Sequence, residues 1–166
     1  MATFNVSNTT QLQAAINTAA DGDVISLASG TYSGMNIFNK SFANGITITS
    51  ADSAHPAVLN AMNMNGSSGI TISNIEFSEV NPGAQYGFRI GSSQNITLDH
   101  LNIHGPSGFA NYQNVNPVMI QNSDGVTLSN SEIHDANMAV SVLGSDHVTV
   151  SNNYFHDLRK IGRAHV

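Results

Sequence analysis

The sequence predicts an all-β fold: a single-stranded parallel β-helix, or solenoid, with a short capping α-helix near its N-terminus. Four eight-residue segments carry the same alternation of aliphatic and small polar residues. They begin at Ile70, Ile96, Val126 and Val148. Self-similarity at a period of roughly 20–50 residues is typical of stacked repeat architectures, in which residues at one repeat position form a column.

A second apolar pattern predicts another strand upstream of each segment. Apolar residues two positions apart precede every segment, which is the periodicity of a strand with one buried face. The pairs are Met62 and Met64, Phe88 and Ile90, Val118 and Ile120, and Val140 and Val142. Each coil is therefore expected to contain three short strands. The third strand ends at Phe77, Ile103, Ile133 or Phe155.

The tight turn between the second and third strands carries an amide or imidazole side chain in every repeat. The four residues are Asn74, His100, Asn130 and Asn152. Asn tolerates the left-handed backbone conformation and can hydrogen-bond to neighbouring coils. We interpret this column as structural.

The first 32 residues are predicted to form an N-terminal cap, followed by coils over residues 33–159. Residues 24–27 and 30–32 have the pattern of opening strands, and a weaker coil begins at Ile46. Between residues 10 and 20, apolar residues recur at helical spacing behind two capping candidates. The apolar residues are Leu12, Ala15, Ile16 and Ala19, and the capping candidates are Asn8 and Thr9. A helix here would cover the apolar edge that a first coil exposes.

The composition argues against several function classes. Only 10% of the 166 residues are charged, the net charge is −6, and there is no cysteine. Basic residues are few and unclustered, so we expect no nucleic-acid partner. No apolar run is long enough to span a membrane. Neither disulfides nor thiol chemistry can contribute, and we expect a monomer.

The last residues interrupt the repeat. Carried forward, the core columns of Phe88 and Ile90 fall on Gly162 and Ala164, which cannot fill such positions. Residues 161–166 also resemble the translation of a widely used sequencing adapter. We therefore predict that residues 160–166 are a non-native tail and that the chain is an N-terminal fragment of a longer solenoid.

A histidine column follows the third strand. Its members are Ser78, His104, His134 and His156, and Asp135 and Asp157 come directly after the last two. Stacked coils place such imidazoles about 4.8 Å apart, and a neighbouring Asp can orient an imidazole and raise its pKa. The column is either ordinary turn chemistry or a set of proton-transfer groups. Metal ligation is a third alternative, although equally spaced stacked side chains converge poorly on one ion.

Outward-facing residues of the first strand form another candidate column, made of Asn63, Arg89, Met119 and Ser141. Arg89 is the one basic residue of the repeat region before Arg159. A guanidinium can hold a carboxylate through two parallel hydrogen bonds, or stabilise charge that develops on it. The alternative is a solvated surface arginine.

Two insertions lead into the first strand and should flank Arg89. They span residues 78–86 and 105–116, and they contain Tyr86 and Tyr112 along with several Asn. Aromatic rings and amides beside an open sheet suit a sugar-binding groove, and loops often carry function. The alternative is a pair of long loops that the fold tolerates.

These repeats resemble the right-handed parallel β-helix superfamily, which contains pectate lyases, alginate and chondroitin lyases and mannuronan epimerases. The resemblance rests on the Ile-Thr-Ile and Val-Thr-Val strands and on the opening residues 10–32. It also rests on the endings Ile133-His134-Asp135 and Phe155-His156-Asp157. It covers residues 4 to 159 and is specific for the fold rather than for the activity.

The resemblance implies a polysaccharide-active protein, a lyase or an epimerase that acts on a uronic-acid-containing chain such as alginate or pectate. In that mechanism calcium or basic residues neutralise the uronate carboxylate, and a base removes the adjacent proton. No complete catalytic motif is present, and no calcium ligands are identifiable in the sequence. The N-terminus lacks a signal-peptide pattern, so the resemblance implies secretion without one. A non-catalytic adhesin or carbohydrate-binding surface β-helix is the alternative.

The candidate site combines the outward column, the histidines and the loop aromatics. Arg89 is assigned to the substrate carboxylate, and His104 and His134 are assigned to proton transfer. The residues assigned to substrate binding are Tyr86, Tyr112, Asn63 and His156. Polysaccharide is the expected partner.

Overall fold

Three parallel β-sheets wind into a solenoid, and one helix covers its first coil. The computed structural model of the chain describes residues 1–78, 87–106 and 116–159. Across these residues the strands recur in the predicted order, so the all-β solenoid with a short capping helix is confirmed. Every strand pair in these ranges is parallel, as coils stacked in one direction require.

Each sheet takes one strand from successive coils, and the strands are numbered in chain order. Sheet 1 contains β4 (Met35–Phe38), β7 (Met62–Asn65), β10 (Phe88–Gly91), β13 (Val118–Gln121) and β16 (Val140–Leu143). Sheet 2 contains β1 (Thr3–Val6), β2 (Val24–Leu27), β5 (Ser41–Ser50), β8 (Ser68–Ser73), β11 (Gln94–Asp99), β14 (Asp124–Ser129) and β17 (Thr149–Ser151). Sheet 3 contains β3 (Gly30–Tyr32), β6 (Ala57–Leu59), β9 (Glu76–Ser78), β12 (Asn102–His104), β15 (Glu132–His134) and β18 (Tyr154–Phe155). Helix α1 spans Thr9–Thr18.

The predicted apolar columns of sheet 1 fill the interior. The pairs Met62 and Met64, Phe88 and Ile90, and Val118 and Ile120 stack in register. All six side chains are 0–3% exposed. Phe77 of sheet 3 meets Phe88 edge to face, with ring centroids 4.4 Å apart. The period-two pattern of the sequence therefore identifies the core correctly.

The last coil of the described residues is less buried than its pattern predicts. Val142 aligns with Ile120 and Phe155 aligns with Ile133, so both occupy inward positions. They are nevertheless 43% and 41% exposed. The reason is that no strand in the described ranges stacks beyond β16 and β18.

Left-handed residues occupy the turn between sheets 2 and 3, as predicted. The four column residues Asn74, His100, Asn130 and Asn152 have φ angles between 50° and 56°. The Asn130 side chain donates to Asp99 Oδ1 at 2.7 Å, and the Asn74 side chain donates to Thr49 Oγ1 at 3.4 Å. Both bonds join one coil to the previous one, which confirms the structural interpretation of this column.

A buried serine ladder, which the sequence pattern did not reveal, lines the turn between sheets 1 and 2. Ser67, Ser93 and Ser123 are 0–4% exposed. Each hydroxyl accepts a backbone N–H from the coil before it at 3.2 Å. Each also donates to the carbonyl two residues earlier in its own coil. The ladder thus satisfies backbone groups that a buried turn would leave unpaired.

Helix α1 caps the first coil as predicted. Asn8 is its N-cap, and its side chain accepts a hydrogen bond from the Gln11 backbone N–H at 2.9 Å. Leu12 and Ile16 are fully buried in the core. Strand β1, which the sequence pattern did not predict, precedes the helix and pairs with β2.

Three further predictions concern a membrane span, the boundary of the cap and the C-terminal tail. The described residues contain no helix with the length and hydropathy needed to cross a membrane. The boundary at residue 32 between cap and coils stays a prediction. The predicted non-native tail, residues 160–166, lies outside the described residues.

Replacing a buried column residue should destabilise the solenoid far more than replacing its exposed counterpart. Ile90 is 0% exposed, whereas Val142 in the same column is 43% exposed. We expect Ile90→Ala to lower the free energy of unfolding by about 2–5 kcal/mol. Val142→Ala should change it by about 0.5 kcal/mol or less. Urea unfolding followed by circular dichroism measures both, and equal losses would contradict the assigned core.

Candidate functional site

Among the described residues, the strands of sheet 1 present one positive charge and no carboxylate on their outer face. Two outward columns cross its strands. The first is Asn36, Asn63, Arg89, Met119 and Ser141, and the second is Phe38, Asn65, Gly91, Gln121 and Leu143. In a chain whose net charge is −6, such an acid-free face is the one suited to an anionic ligand.

Arg89 lies in the middle strand of this face and is exposed. Its Nη2 donates a hydrogen bond to Gln121 Oε1 at 3.0 Å. No carboxylate forms an ion pair with it within the described part of the chain. Because a guanidinium has five N–H donors, Arg89 keeps donors for a ligand carboxylate.

A groove runs between helix α1 and sheet 1, with a volume of about 930 Å³. Its polar lining includes Gln13 and Asn17 from the helix and Asn36, Asn63 and Arg89 from the sheet. A depression of about 260 Å³ shares Asn63 and Arg89 with it and lies further along the strands. We call the two together the sheet 1 groove.

Phe38 is a site candidate that the sequence reasoning missed. Its side chain is 46% exposed and lines the smaller depression with Asn63, Asn65 and Arg89. An exposed aromatic ring among amides is a surface on which the apolar face of a sugar can pack. The sequence could have indicated this, because Phe38 lies two positions after Asn36 in β4 and therefore points to the same outward face.

Polar contacts hold the helix beside the sheet and shape the groove. The Gln13 side chain donates to the Asn36 carbonyl at 2.9 Å and accepts from the Asn36 N–H at 3.2 Å. It thereby pairs the edge of sheet 1 that β4 would otherwise expose. Lys40 Nζ donates to the Asn17 carbonyl at 2.9 Å, near the end of the helix where positive charge is favourable.

The predicted residues of the outward column differ in their exposure to solvent. Asn63 aligns with Arg89 and is exposed, as predicted. Met119 also aligns with Arg89, but it is only 5% exposed and offers little contact surface. Met119 thus keeps its predicted outward position, but an outward position on a strand can still be covered. Tyr86 and Tyr112 lie outside the described residues and stay predictions.

The predicted histidine column is a ladder of stacked imidazoles along sheet 3. The ring centroids of His104 and His134 are 5.0 Å apart, with ring planes inclined by 13°. Those of His134 and His156 are 4.8 Å apart, with planes inclined by 10°. The three side chains are 20–27% exposed. The spacing expected from stacked coils, about 4.8 Å, is confirmed.

Oxygen atoms contact both ring nitrogens of each imidazole. The Nδ1 partners of His104, His134 and His156 are Gly105 O at 2.8 Å, Asp135 Oδ2 at 2.8 Å and Asp157 Oδ2 at 2.7 Å. The Nε2 partners, each one coil earlier, are Glu76 Oε1 at 3.1 Å, Asn102 Oδ1 at 3.1 Å and Glu132 Oε1 at 2.8 Å. The sequence reasoning anticipated the aspartates but missed the column of Glu76, Asn102 and Glu132.

Carboxylates on both sides change the titration of His156. Its pKa is raised from the ordinary 6.5 by the hydrogen bond to Asp157 and then by that to Glu132. The folded state therefore holds this proton more tightly than the unfolded state. The resulting stabilisation is fully present below pH 6.5 and is lost as the pH rises through the raised pKa.

The two halves of the predicted catalytic set lie on different sheets. Arg89 belongs to sheet 1, whereas His104 and His134 end strands of sheet 3. The structure therefore does not bring the guanidinium and these imidazoles together on one face. The sequence assignments of Arg89 to the first strand and of the histidines to the end of the third strand already implied this separation.

The strands of sheet 1 do not supply the ligands of a calcium ion. Calcium takes roughly 6–8 oxygen ligands, and the strands of sheet 1 contain no carboxylate. The group of three metal-ligating side chains found in the described ranges is Glu132, His134 and His156. Two of its three ligand atoms are imidazole nitrogens, which suit transition metals. On sheet 1, Arg89 is the described group that can neutralise a substrate carboxylate.

The sequence profile of the right handed beta helix region matches residues 60–163, which is more than half of the chain. The chain belongs to the right-handed β-helix family. The match includes Asn63, Arg89 and the imidazole ladder, whereas helix α1 and β4, which line the rest of the sheet 1 groove, precede it. A search of curated proteins finds no match to this sequence.

Two solved structures share the right-handed β-helix architecture with this chain. An alginate lyase from Paenibacillus sp. str. FPU-7 is 17% identical, with a TM-score of 0.51 over 93% of this chain and 76% of that chain. A pectate lyase from Bacillus sp. N165, in complex with trigalacturonate, is 17% identical, with a TM-score of 0.70 over 95% of this chain and 57% of that chain. At this identity the likeness establishes the fold. The chain spans little more than half the length of the pectate lyase.

Removing the carboxylate beside His156 should lower the pKa of this imidazole. We expect its NMR titration midpoint, measured with a chelator present, to lie above 6.5 in the parent protein and to fall in Asp157→Asn. His147 is the internal control, because Asp124 raises its pKa in a separate exposed pair. A His156 midpoint that does not move in Asp157→Asn would contradict the assigned hydrogen bond.

Proposed function

We propose that this right-handed β-helix binds a uronic-acid-containing polysaccharide, of the alginate or pectate type, along the sheet 1 groove. Arg89 carries this proposal. It is an exposed guanidinium with no carboxylate partner among the described residues, on strands that contain no acid. Such a cation can take a ligand carboxylate through two parallel hydrogen bonds. Each uronate of a polyuronate chain presents one carboxylate.

The side chains around Arg89 suit the other parts of a sugar ring, its hydroxyl groups and its apolar face. The amides of Asn36, Asn63 and Asn65 both donate and accept hydrogen bonds, as sugar hydroxyls do. The exposed ring of Phe38 offers an apolar platform beside them. The main groove volume of about 930 Å³ lies within the roughly 300–1,000 Å³ that is typical of ligand sites.

The activity proposed for the protein is that of a lyase or an epimerase. In both reactions a base removes the proton next to the uronate carboxylate, and negative charge develops on that carboxylate. Arg89 would stabilise this charge with hydrogen bonds that strengthen as the charge grows. The structural likeness to an alginate lyase and to a pectate lyase in complex with trigalacturonate agrees with this substrate class.

The remaining candidates keep narrower roles. His104 and His134 stay candidates for proton transfer, and His156 for substrate binding, toward a ligand that reaches sheet 3. Tyr86 and Tyr112 stay candidates for sugar contacts beside Arg89. No step of the proposal depends on calcium, because the described residues of sheet 1 do not supply its ligands.

A non-catalytic carbohydrate-binding role is the second candidate, and one observation favours it. The five strands of sheet 1 in the described ranges contain no Asp, Glu, His, Lys or Tyr. The usual general bases are therefore absent from the strands that present Arg89. Binding without turnover is the behaviour expected of this role.

Location and assembly belong to the same proposal. Alginate- and pectate-like polymers are materials of extracellular matrices and cell walls, so we propose that the protein acts outside the cell. We also propose that it acts as a monomer, because the helix and the strands of one chain line the whole of the described groove.

Replacing Arg89 should weaken polysaccharide binding. A hydrogen-bonded charged pair contributes roughly 1.5–3 kcal/mol, so we expect Arg89→Ala to lower affinity for oligogalacturonate or oligoalginate by about 10- to 100-fold. Arg89→Lys should recover part of it, because lysine keeps the charge without the planar fork. Arg159→Ala, which removes another exposed arginine, should leave binding unchanged. Isothermal titration calorimetry measures all four proteins.

Incubation with alginate, pectate and chondroitin separates the candidate roles. Ultraviolet absorbance of an unsaturated product indicates a lyase, and a changed uronate composition without cleavage indicates an epimerase. Binding without either change indicates the non-catalytic role. A parent protein that binds none of the three polymers, with or without calcium, would refute the proposal.

A further inference from the structure

One level of sheet 3 brings two imidazoles and a carboxylate together. One ligand atom from each of Glu132, His134 and His156 lies within 4.8 Å of the other two. Glu132 Oε1 and His156 Nε2 are already 2.8 Å apart. The group is 20–47% exposed at its side chains, so it is open to solvent. It lies on a different sheet from Arg89 and plays no part in the sheet 1 groove.

Carboxylates hold the far side of both imidazoles. Asp135 and Asp157 each have a φ angle of 49°, and each carboxylate contacts Nδ1 of the histidine directly before it. An N–H donated from Nδ1 to a carboxylate leaves the lone pair of the neutral ring on Nε2. Metal-ligating histidines in proteins are held in this way, and the carboxylate also makes the ring a better ligand.

Along the described ladder, two histidines and a carboxylate come together at one position. One coil earlier, Asn102 stands at the position of Glu132, so two imidazoles meet an amide. Two coils earlier, Glu76 is present, but Ser78 stands in place of a histidine. Within the described ranges, Glu132 is therefore the one carboxylate of its column that has a histidine both in its own coil and in the next.

We propose that Glu132, His134 and His156 form a binding site for a divalent transition-metal ion of the zinc type. Two imidazole nitrogens and one carboxylate are a known protein ligand set for zinc, with the fourth position left to water or a ligand. Calcium and magnesium prefer sites made of oxygen ligands. The composition of the group therefore discriminates between these two classes of ion.

To close the site, the two stacked rings, whose planes are inclined by 10°, must turn about their side-chain bonds until both Nε2 atoms point at one ion. Zinc–ligand bonds to nitrogen and carboxylate oxygen are about 2.0–2.2 Å long, so two ligand atoms of a tetrahedral zinc ion are about 3.4 Å apart. A group whose ligand atoms spread over up to 4.8 Å must therefore contract by roughly 1.4 Å at its widest. His156 and Glu132, at 27% and 47% exposure, have the freedom to turn. The ion then replaces the hydrogen bond between them and the contact of His134 Nε2 with Asn102 Oδ1.

Titration of the full chain with Zn²⁺ tests the proposal. In chelator-treated buffer, at a pH above the raised pKa of His156, we expect one Zn²⁺ per chain by calorimetry. We also expect a rise in Tm, because the ion binds the folded state. Glu132→Gln and His156→Gln should each lower the affinity by about 10-fold or more, and so should Asp157→Asn through the ligand that it orients. Ca²⁺ should produce neither heat nor a Tm rise at this site.

His147→Gln is the matched control, because His147 also pairs with a carboxylate, Asp124, at 2.7 Å but belongs to no such group in the described residues. It should bind Zn²⁺ like the parent chain. Circular dichroism verifies the fold of each variant, and Asp157→Asn carries the test if His156→Gln does not fold. Absence of Zn²⁺ binding, binding that survives Glu132→Gln and Asp157→Asn, or an equal loss in His147→Gln would each overturn the proposal.

Discussion

The hydrogen-bonded stacking of each coil on the previous one is the constraint on which the rest of this structure depends. Adjacent strands are about 4.7–4.9 Å apart, so a residue type repeated in the sequence becomes a column with that spacing in space. The register holds through the turns because left-handed residues and the buried serine ladder satisfy the backbone where the sheets change direction. Both candidate sites are consequences of this register.

Stacking acts differently on inward and outward columns. The inward columns of the strands merge into one core of apolar side chains, so they vary little in character from coil to coil. Side chains in outward columns are not restricted to apolar types. A polar or charged residue that occurs in one coil but not in the neighbouring coil therefore gives that coil a chemical group of its own. Arg89 follows Asn63 in one column and provides a charge, while Glu132 follows Asn102 in another and provides the carboxylate of the proposed zinc site. The repeat is thus a scaffold on which single positions acquire function.

The faces of the solenoid also divide its charge. Sheet 1 presents a guanidinium among amides, whereas sheet 3 presents Glu76 and Glu132 beside the imidazole ladder. A polyanion is therefore attracted to the first face and repelled by the carboxylates of the second. A bound divalent ion would offset part of the negative charge on sheet 3. The capping helix helps to build the first face, because Gln13 pairs the edge of sheet 1 and lines its groove.

The sequence by itself determined the solenoid, its core columns and the identity of its outward columns, because these depend on a periodicity that is local in the chain. It therefore predicted that Arg89 aligns with Asn63 and that the histidines stack. Only the tertiary structure decided that Met119 is covered and that His156 meets Glu132 from the neighbouring coil. The physical reason is that contacts between coils and between faces depend on how three sheets close around one core. Residues that meet in this way lie more than twenty positions apart and leave no local signature in the sequence.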